Sequence, residues 1–290
     1  MPTPWEKEEF HNSLEWKRRA RSGSLTPIPC IGAWIDVCGF GSQLEKAKWN
    51  LSEFQVGGTV NLLSEVYQRV GHPFWVGVEP EPYESVLVLN DGIARTVDLG
   101  NVQCAQAVQA IFYIRALVLA HLHLLRLTNH NHLGVRTVLA GGERIQYSPT
   151  TFTGNSILSH GDAPSEWGKR LLEKNFLYNP SEFQMNTAFA KAYSIDANGT
   201  RSGFNVNGFF VEEMFFERFG AIPGIDVTFD ESSIYVKHNN NTALELRVSL
   251  KKEFVFKGLN ASVYGISSVR VDTSFEGEET IIDLVNYEMA

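Results

Sequence analysis

The order of apolar runs, turns and helical patterns between residues 30 and 140 constrains this chain more than any other feature. Residues 30–37 carry Ile31, Ala33, Trp34, Ile35 and Val37 without helical spacing, and read as a strand apolar on both faces, hence central in a sheet. Gly39-Phe40-Gly41-Ser42 turns the chain, with Ser42 placed to cap a helix. Residues 56–70 continue as a helix through Val60, Leu63, Val66 and Tyr67. Residues 85–89 and 93–99 read as strands joined at Asn90-Asp91-Gly92, a hairpin signal. A long helix at 101–128 leads to a strand at 134–140 that turns at Gly141-Gly142. This succession predicts an α+β fold with a βαββαβ core. A further helix is expected at 184–194, and strands at 207–211, 225–229, 233–237, 244–249 and 262–269. Residues 146–182 have little periodicity and read as an irregular insertion with a short helix near 167–174. Residues 1–27 are a helical or loose extension, 28–268 one domain, and 269–290 a tail.

Composition narrows the class. The chain has 290 residues, 43% of them hydrophobic, enough for one large domain with extensions or two small ones. A net charge of -8 argues against a protein that tracks nucleic acid backbones, which need a positive footprint. It leaves a nucleotide substrate open, because a local metal site reverses the field. The cysteines Cys30, Cys38 and Cys104 form no C-x-x-C pair, as fits a reducing compartment. Residues 1–23 are polar and include Lys17, Arg18, Arg19 and Arg21, with no apolar core of a secretory signal. The apolar run 110–125 is interrupted by Arg115, His121 and His123 and reads as a buried helix, not a membrane span. A cytoplasmic protein is the expectation.

Two aspartates carry the candidate chemistry. Asp36 lies near the end of the first strand, and Asp91 at the tip of the hairpin. In a βαββαβ sheet the first and third strands lie side by side, so the two carboxylates meet at one edge. Such a pair suits divalent cations through oxygen ligands, with the Val37 carbonyl as a further ligand. The backbone N–H groups of Gly39, Phe40, Gly41 and Ser42 open a helix beside it, a ready site for a triphosphate. Metals bracketing a phosphoryl group acidify an attacking hydroxyl and stabilise the leaving oxygen. Taken singly, Asp36 could instead cap the following helix and Asp91 could be an ordinary turn residue. Arg95 suits either a base or phosphate contact or a cross-strand ion pair. Lys191 and Arg136 fit surface charges equally well. His121 and His123 are two apart on a helix and share no face. The paired phenylalanines Phe209-Phe210 and Phe215-Phe216 suit core or dimer packing.

Ile35-Asp36-Val37-Cys38-Gly39-Phe40 resembles the metal-binding motif of class III nucleotidyl cyclases, where a strand ends in Asp, two residues, Gly and Phe. Asn90-Asp91-Gly92 is similar to that family's second metal aspartate in its hairpin. The run from Gly134 through Gly142 resembles the strand after the long helix, and Phe254-Val255-Phe256-Lys257-Gly258-Leu259 with Val263-Tyr264 resembles the closing strands. The resemblance spans about residues 30–268 and rests on four short motifs in family order. Two departures stand out. Leu87 occupies the position of the polar purine reader, and Asn186 is followed by Ala190 where the family has Arg, with Lys191 one place later. The segment from Asn186 to Asp196 looks more like the bacterial antiphage pyrimidine cyclases of Pycsar systems.

The resemblance implies a ferredoxin-like βαββαβ cyclase core with additional strands. It implies two Mg²⁺ or Mn²⁺ ions on Asp36, Val37 and Asp91, and attack of a ribose 3′-hydroxyl on the α-phosphorus with release of pyrophosphate. Asn186 and Lys191 are the candidates for orienting ribose and stabilising charge. Gly39, Phe40, Gly41, Ser42 and Lys257 are candidates for the triphosphate, and Trp49 and Arg95 for the base. The expected substrate is UTP, then CTP, because Arg95 could donate to a carbonyl oxygen of uracil but would be repelled by the amino group of cytosine; the resemblance further implies a homodimer that signals to a separate effector sensing the cyclic nucleotide. The alternatives are a cyclic CMP or purine nucleotide cyclase, and a non-catalytic nucleotide-binding scaffold on the same fold.

Overall fold

The computed structural model describes residues 13–56, 58–70, 84–100, 106–129, 133–145, 180, 182–273 and 278–284. The chain divides into two units, Met1–Ile28 with Glu143–Asn186, and Pro29–Gly142 with Thr187–Ala290. In the smaller unit, helix α1 (Ser13–Ser22) ends where the Gly23 and Ser24 N–H groups donate to the carbonyls of Ala20 and Arg19. Arg144 and Asn186 form an antiparallel bridge there, and the Ile145 N–H donates to the Met185 carbonyl.

The larger unit is α+β and is organised by one mostly antiparallel sheet. In chain order its elements are β1 (Ile28–Cys38), α2 (Phe40–Lys46), α3 (Leu51–Val56), α4 (Thr59–Val70), β2 (Glu84–Leu89), β3 (Gly92–Asp98), α5 (Ala107–Asn129) and β4 (Gly134–Arg144). Then follow α6 (Thr187–Asn198), β5 (Phe209–Glu212), α7 (Glu213–Gly220), β6 (Ile225–Phe229), β7 (Ser233–His238), β8 (Asn241–Phe256), β9 (Leu259–Thr273) and β10 (Glu278–Asp283). The sheet order is β2-β3-β1-β4-β5-β9-β8-β7-β6, with β10 paired to β9. The pairing of β4 with β5 is parallel. The first four strands therefore stand in the order β2-β3-β1-β4.

Side chains alternate across β1, and each set meets a different layer. Ile35, Ile93 and Val135 pack with Val66 of α4 and Leu124 of α5. Ile31 and Ala33 join α5 and the α7 phenylalanines Phe215, Phe216 and Phe219 in the main core. Gly32 and Trp34 face α6 instead: the Trp34 ring lies 6.0 Å from Phe189 and 5.2 Å from Tyr193. β1 is thus covered on both sides, as its unbroken apolar run requires. Helix α5 is long and apolar enough to cross a membrane by length and composition, but 56% of its most apolar window is buried inside the fold.

Several elements depart from the sequence reading. Gly141-Gly142 is not a turn: β4 runs through both glycines to Arg144. A Cβ at Gly141 would meet the Met214 carbonyl oxygen 2.1 Å away, and one at Gly142 the Ala188 nitrogen at 2.5 Å. Both glycines are there because α7 and α6 begin against opposite faces of the strand. Ser42 caps nothing: α2 starts at Phe40 with Gly39 as its cap at φ 94. The expected continuous helix to residue 70 is three helices broken by turns, and the further helix runs Thr187–Asn198 rather than 184–194. Helix α7 stands where only aromatic packing was expected. Residues from 269 on are not all tail, since β9 continues to Thr273 and β10 adds a strand to it. Nearly all of the expected insertion at 146–182, with its short helix, lies outside the described residues.

Candidate active site

The hairpin register brings the two aspartates together through the backbone. β1 and β3 pair Asp36 with Gly92, and the Val37 N–H donates to the Asp91 carbonyl at 2.9 Å. Leu89 pairs with Gly92, which leaves Asn90 and Asp91 as the turn, and Asn90 takes the left-handed conformation at φ 51. Gly92 is required for a second reason. A Cβ there would sit 2.2 Å from the Trp34 ring, which lies flat across the hairpin end.

A third carboxylate completes the neighbourhood. Trp34 and Asp36 are two apart on β1 and so share the α6 face. Near the end of α6, Asp196 accepts the Trp34 indole N–H at 3.1 Å and an Arg136 N–H at 2.9 Å. Arg136, on β4, also donates to the main-chain oxygens of Asp196 (3.1 Å) and Asn205 (3.3 Å). Arg136 and Asp196 are 5% and 8% exposed, so this is a buried ion pair. Cys38 lies on the same face, its Sγ 3.9 Å from the Asp36 carbonyl oxygen.

Negative charge is in excess here, and the titration of the site reflects it. Asp36 is pushed up to about 7, first by burial and then by the Asp196 charge, with Asp91 adding to it. Its contact with Cys38 and the charge of Arg136 pull the other way. Burial also raises Asp91, and it raises Asp196 against the pull of Arg136. The Cys38 thiol rises to about 12 through burial and the Asp36 charge, so it is not a nucleophile. The Tyr67 phenol on α4 is raised by burial and then by Asp91, which places it beside the hairpin turn. Crowded, desolvated carboxylates with one cation between them are poised to take up positive charge.

The other expected site residues scatter. Leu87 of β2 pairs with Ala94, which pairs with Trp34, so Leu87 belongs to the Asp36 face. Arg95 does not: it pairs with Ala33 on the α5 face, where its Nε lies 2.6 Å from Glu84 and its guanidinium 5.7 Å from the Tyr113 ring centroid. It is the cross-strand ion pair, not a base reader. Lys191 is held by Glu212 at 2.9 Å, and Glu212 also accepts the Gly141 N–H. Lys257 sits at the exposed β8–β9 tip with its Nζ 5.1 Å from the Phe256 ring centroid. The register Thr137–Phe209–Ile266 puts it nine residues, about 30 Å along the strand, from the level of Thr137, the neighbour of Arg136. It is not a group of this site. Trp49 follows α2 at φ 59 and is 73% exposed. Asn186 belongs to the smaller unit, where its amide donates to the Glu182 carbonyl at 2.9 Å. Sequence reasoning missed Asp196, Trp34, Tyr67 and the buried state of Arg136. The Trp34–Asp196 contact spans 162 residues, and no local pattern announces it.

Among the described residues, no group of three or more His, Cys, Asp or Glu is placed to hold a metal ion. The Asp36–Asp91 pair still fits a hard divalent cation, which takes one or two carboxylates and completes its shell with water and substrate phosphates. No protein-family model matches the chain, and no curated protein matches it in sequence.

Proposed function

We propose that this chain is a metal-dependent nucleotidyl cyclase acting on a pyrimidine nucleoside triphosphate. One observation carries the reading: Asp36 and Asp91 lie side by side at the end of adjacent antiparallel strands, with the Val37 N–H bound to the Asp91 carbonyl. The order β2-β3-β1-β4, with α4 and α5 on one face, supports a ferredoxin-like cyclase core beneath them. Asp36, Asp91 and the Val37 carbonyl would hold Mg²⁺ or Mn²⁺, which supplies charge neutralisation for a triphosphate and acidifies a ribose hydroxyl.

The chain's own residues then have separable roles. Asp36 and Asp91 must be ionised to act, and their mutual repulsion is relieved only by positive charge. Trp34 and α6 wall the Asp36 face and exclude water from it. The 3′-hydroxyl gives up its proton to solvent water and its oxygen attacks the α-phosphorus in line, while the bond to the bridging oxygen breaks and pyrophosphate leaves with that electron pair. The backbone of Gly39, Phe40, Gly41 and Ser42 is the proposed cradle for the outer phosphates. Leu87 supports a pyrimidine, since no polar group at that place reads a purine edge. Arg95, expected to favour UTP over CTP, lies outside the site, so the substrate proposed is a pyrimidine triphosphate, UTP or CTP, with no ranking between them. The resemblance also carries the homodimer and an antiphage signal read by an effector; the few, scattered cysteines carry the cytoplasmic setting.

One observation favours the rival, a non-catalytic nucleotide-binding scaffold. Lys191 and Arg95, the side-chain cations expected near substrate, are both tied up in ion pairs. Incubation with each ribonucleoside triphosphate and Mn²⁺, followed by pyrophosphate release, separates the two. The cyclase releases pyrophosphate from UTP or CTP; binding without release supports the scaffold.

A further inference from the structure

The Arg136–Asp196 pair lies next to the cation site, and its geometry points to a task there. Asp196 engages both of its carboxylate oxygens: Oδ2 accepts from Trp34 and Oδ1 from Arg136. The guanidinium is further tied to the main-chain oxygens of Asp196 and Asn205. Yet Arg136 stands on β4, the sheet neighbour of β1, and faces α6 as Trp34 and Asp36 do. Two anions, Asp36 and Asp196, therefore compete for one buried cation, and Asp196 has it. A buried guanidinium that loses its carboxylate is strongly driven to find another, and Asp36 is a carboxylate on the same face of the neighbouring strand.

We propose that Asp196 is a positioning residue that sequesters Arg136, keeping the Asp36 carboxylate open for a divalent ion. This rests on the cation-site reading of Asp36 and Asp91. Trp34 takes part by fixing the Asp196 carboxylate, with Phe189 and Tyr193 of α6 holding the indole in turn. Without Asp196, Arg136 closes the site by pairing with Asp36, so the protein carries its own blocking cation.

The test is Mn²⁺ binding by the full chain, read as free Mn²⁺ by electron paramagnetic resonance at pH 8. Asp196→Asn retains an acceptor for the indole but releases Arg136, and weakens Mn²⁺ binding at least about tenfold. Adding Arg136→Gln removes the blocking cation and restores binding to within about threefold of the wild type. A packing role alone makes the double variant bind no better than the single one, and that result overturns the proposal, as does wild-type affinity in Asp196→Asn. If Asp196→Asn does not fold, the double variant carries the test, because two neutral amides replace the ion pair at similar shape. Binding about tenfold weaker than wild type then overturns it. If wild type and Asp36→Ala bind Mn²⁺ alike, the cation-site reading itself falls and the proposal with it. If wild type binds and Asp36→Ala does not, only the Asp196 arms decide.

Discussion

Replacing Asp36 with Asn should stabilise the metal-free protein, and by an amount that grows with pH. In the unfolded chain the Asp36 carboxyl loses its proton near 3.8, whereas in the fold it keeps it up to about 7. Between those values unfolding releases a proton, so rising pH favours the unfolded state. The shift is about 3 pH units, which corresponds to at most about 4 kcal/mol of destabilisation fully present above pH 7 and absent below pH 3.8. Asn cannot ionise, so Asp36→Asn loses this term. Urea denaturation in EDTA at pH 4, 6 and 8, followed by tryptophan fluorescence, reads the difference between variant and wild type. The difference should be small at pH 4 and reach about 2–4 kcal/mol in favour of Asn at pH 8. Mn²⁺ should then reverse the order at pH 8, stabilising the wild type but not the variant. Equal stability differences at pH 4 and pH 8 would show that the burden on Asp36 is not electrostatic.

Other perturbations separate the site from its scaffold. Asp91→Ala should abolish cyclic product while leaving the fold intact by circular dichroism, because it removes one of the two converging carboxylates. Arg95→Met leaves Glu84 buried without its partner and should cost about 3–5 kcal/mol in denaturation, with the order of preference among the four triphosphates unchanged. Gly92→Ala drives a methyl group into the Trp34 ring and should cost at least about 1–3 kcal/mol, with a shift in tryptophan emission.

The central strand, the hairpin and the long helix are legible in the sequence because each is encoded locally. The apolar run of β1, the Asn90-Asp91-Gly92 turn and the apolar span of α5 need no distant partner to be read. The backbone convergence of Asp36 and Asp91 follows from them, since strand order fixes which ends meet. What is not legible depends on contacts distant in sequence. Gly141-Gly142 gives the same signal for a turn as for close helix approach, and only the positions of α6 and α7 distinguish these. Arg136 looks like a surface charge until Asp196, 60 residues on, is folded against it. Arg95 and Lys191 are cations whose use is decided by Glu84 and Glu212. Lys257 is read as a site residue from a motif, yet the length of the β8–β9 hairpin carries it away.

On the proposed function, Asp36 and Asp91 serve the cyclisation of a pyrimidine triphosphate. Equal concentrations of UTP, CTP, ATP and GTP, incubated with Mn²⁺ and either the wild type or Asp36→Ala and resolved by mass spectrometry, test it most directly. Cyclic UMP or cyclic CMP is expected as the main product of the wild type, with traces of cyclic purine nucleotides, and none of these from Asp36→Ala. Cyclic AMP or cyclic GMP as the main product would contradict the pyrimidine assignment alone. No cyclic product from the wild type, or undiminished product from Asp36→Ala, would contradict the claim itself.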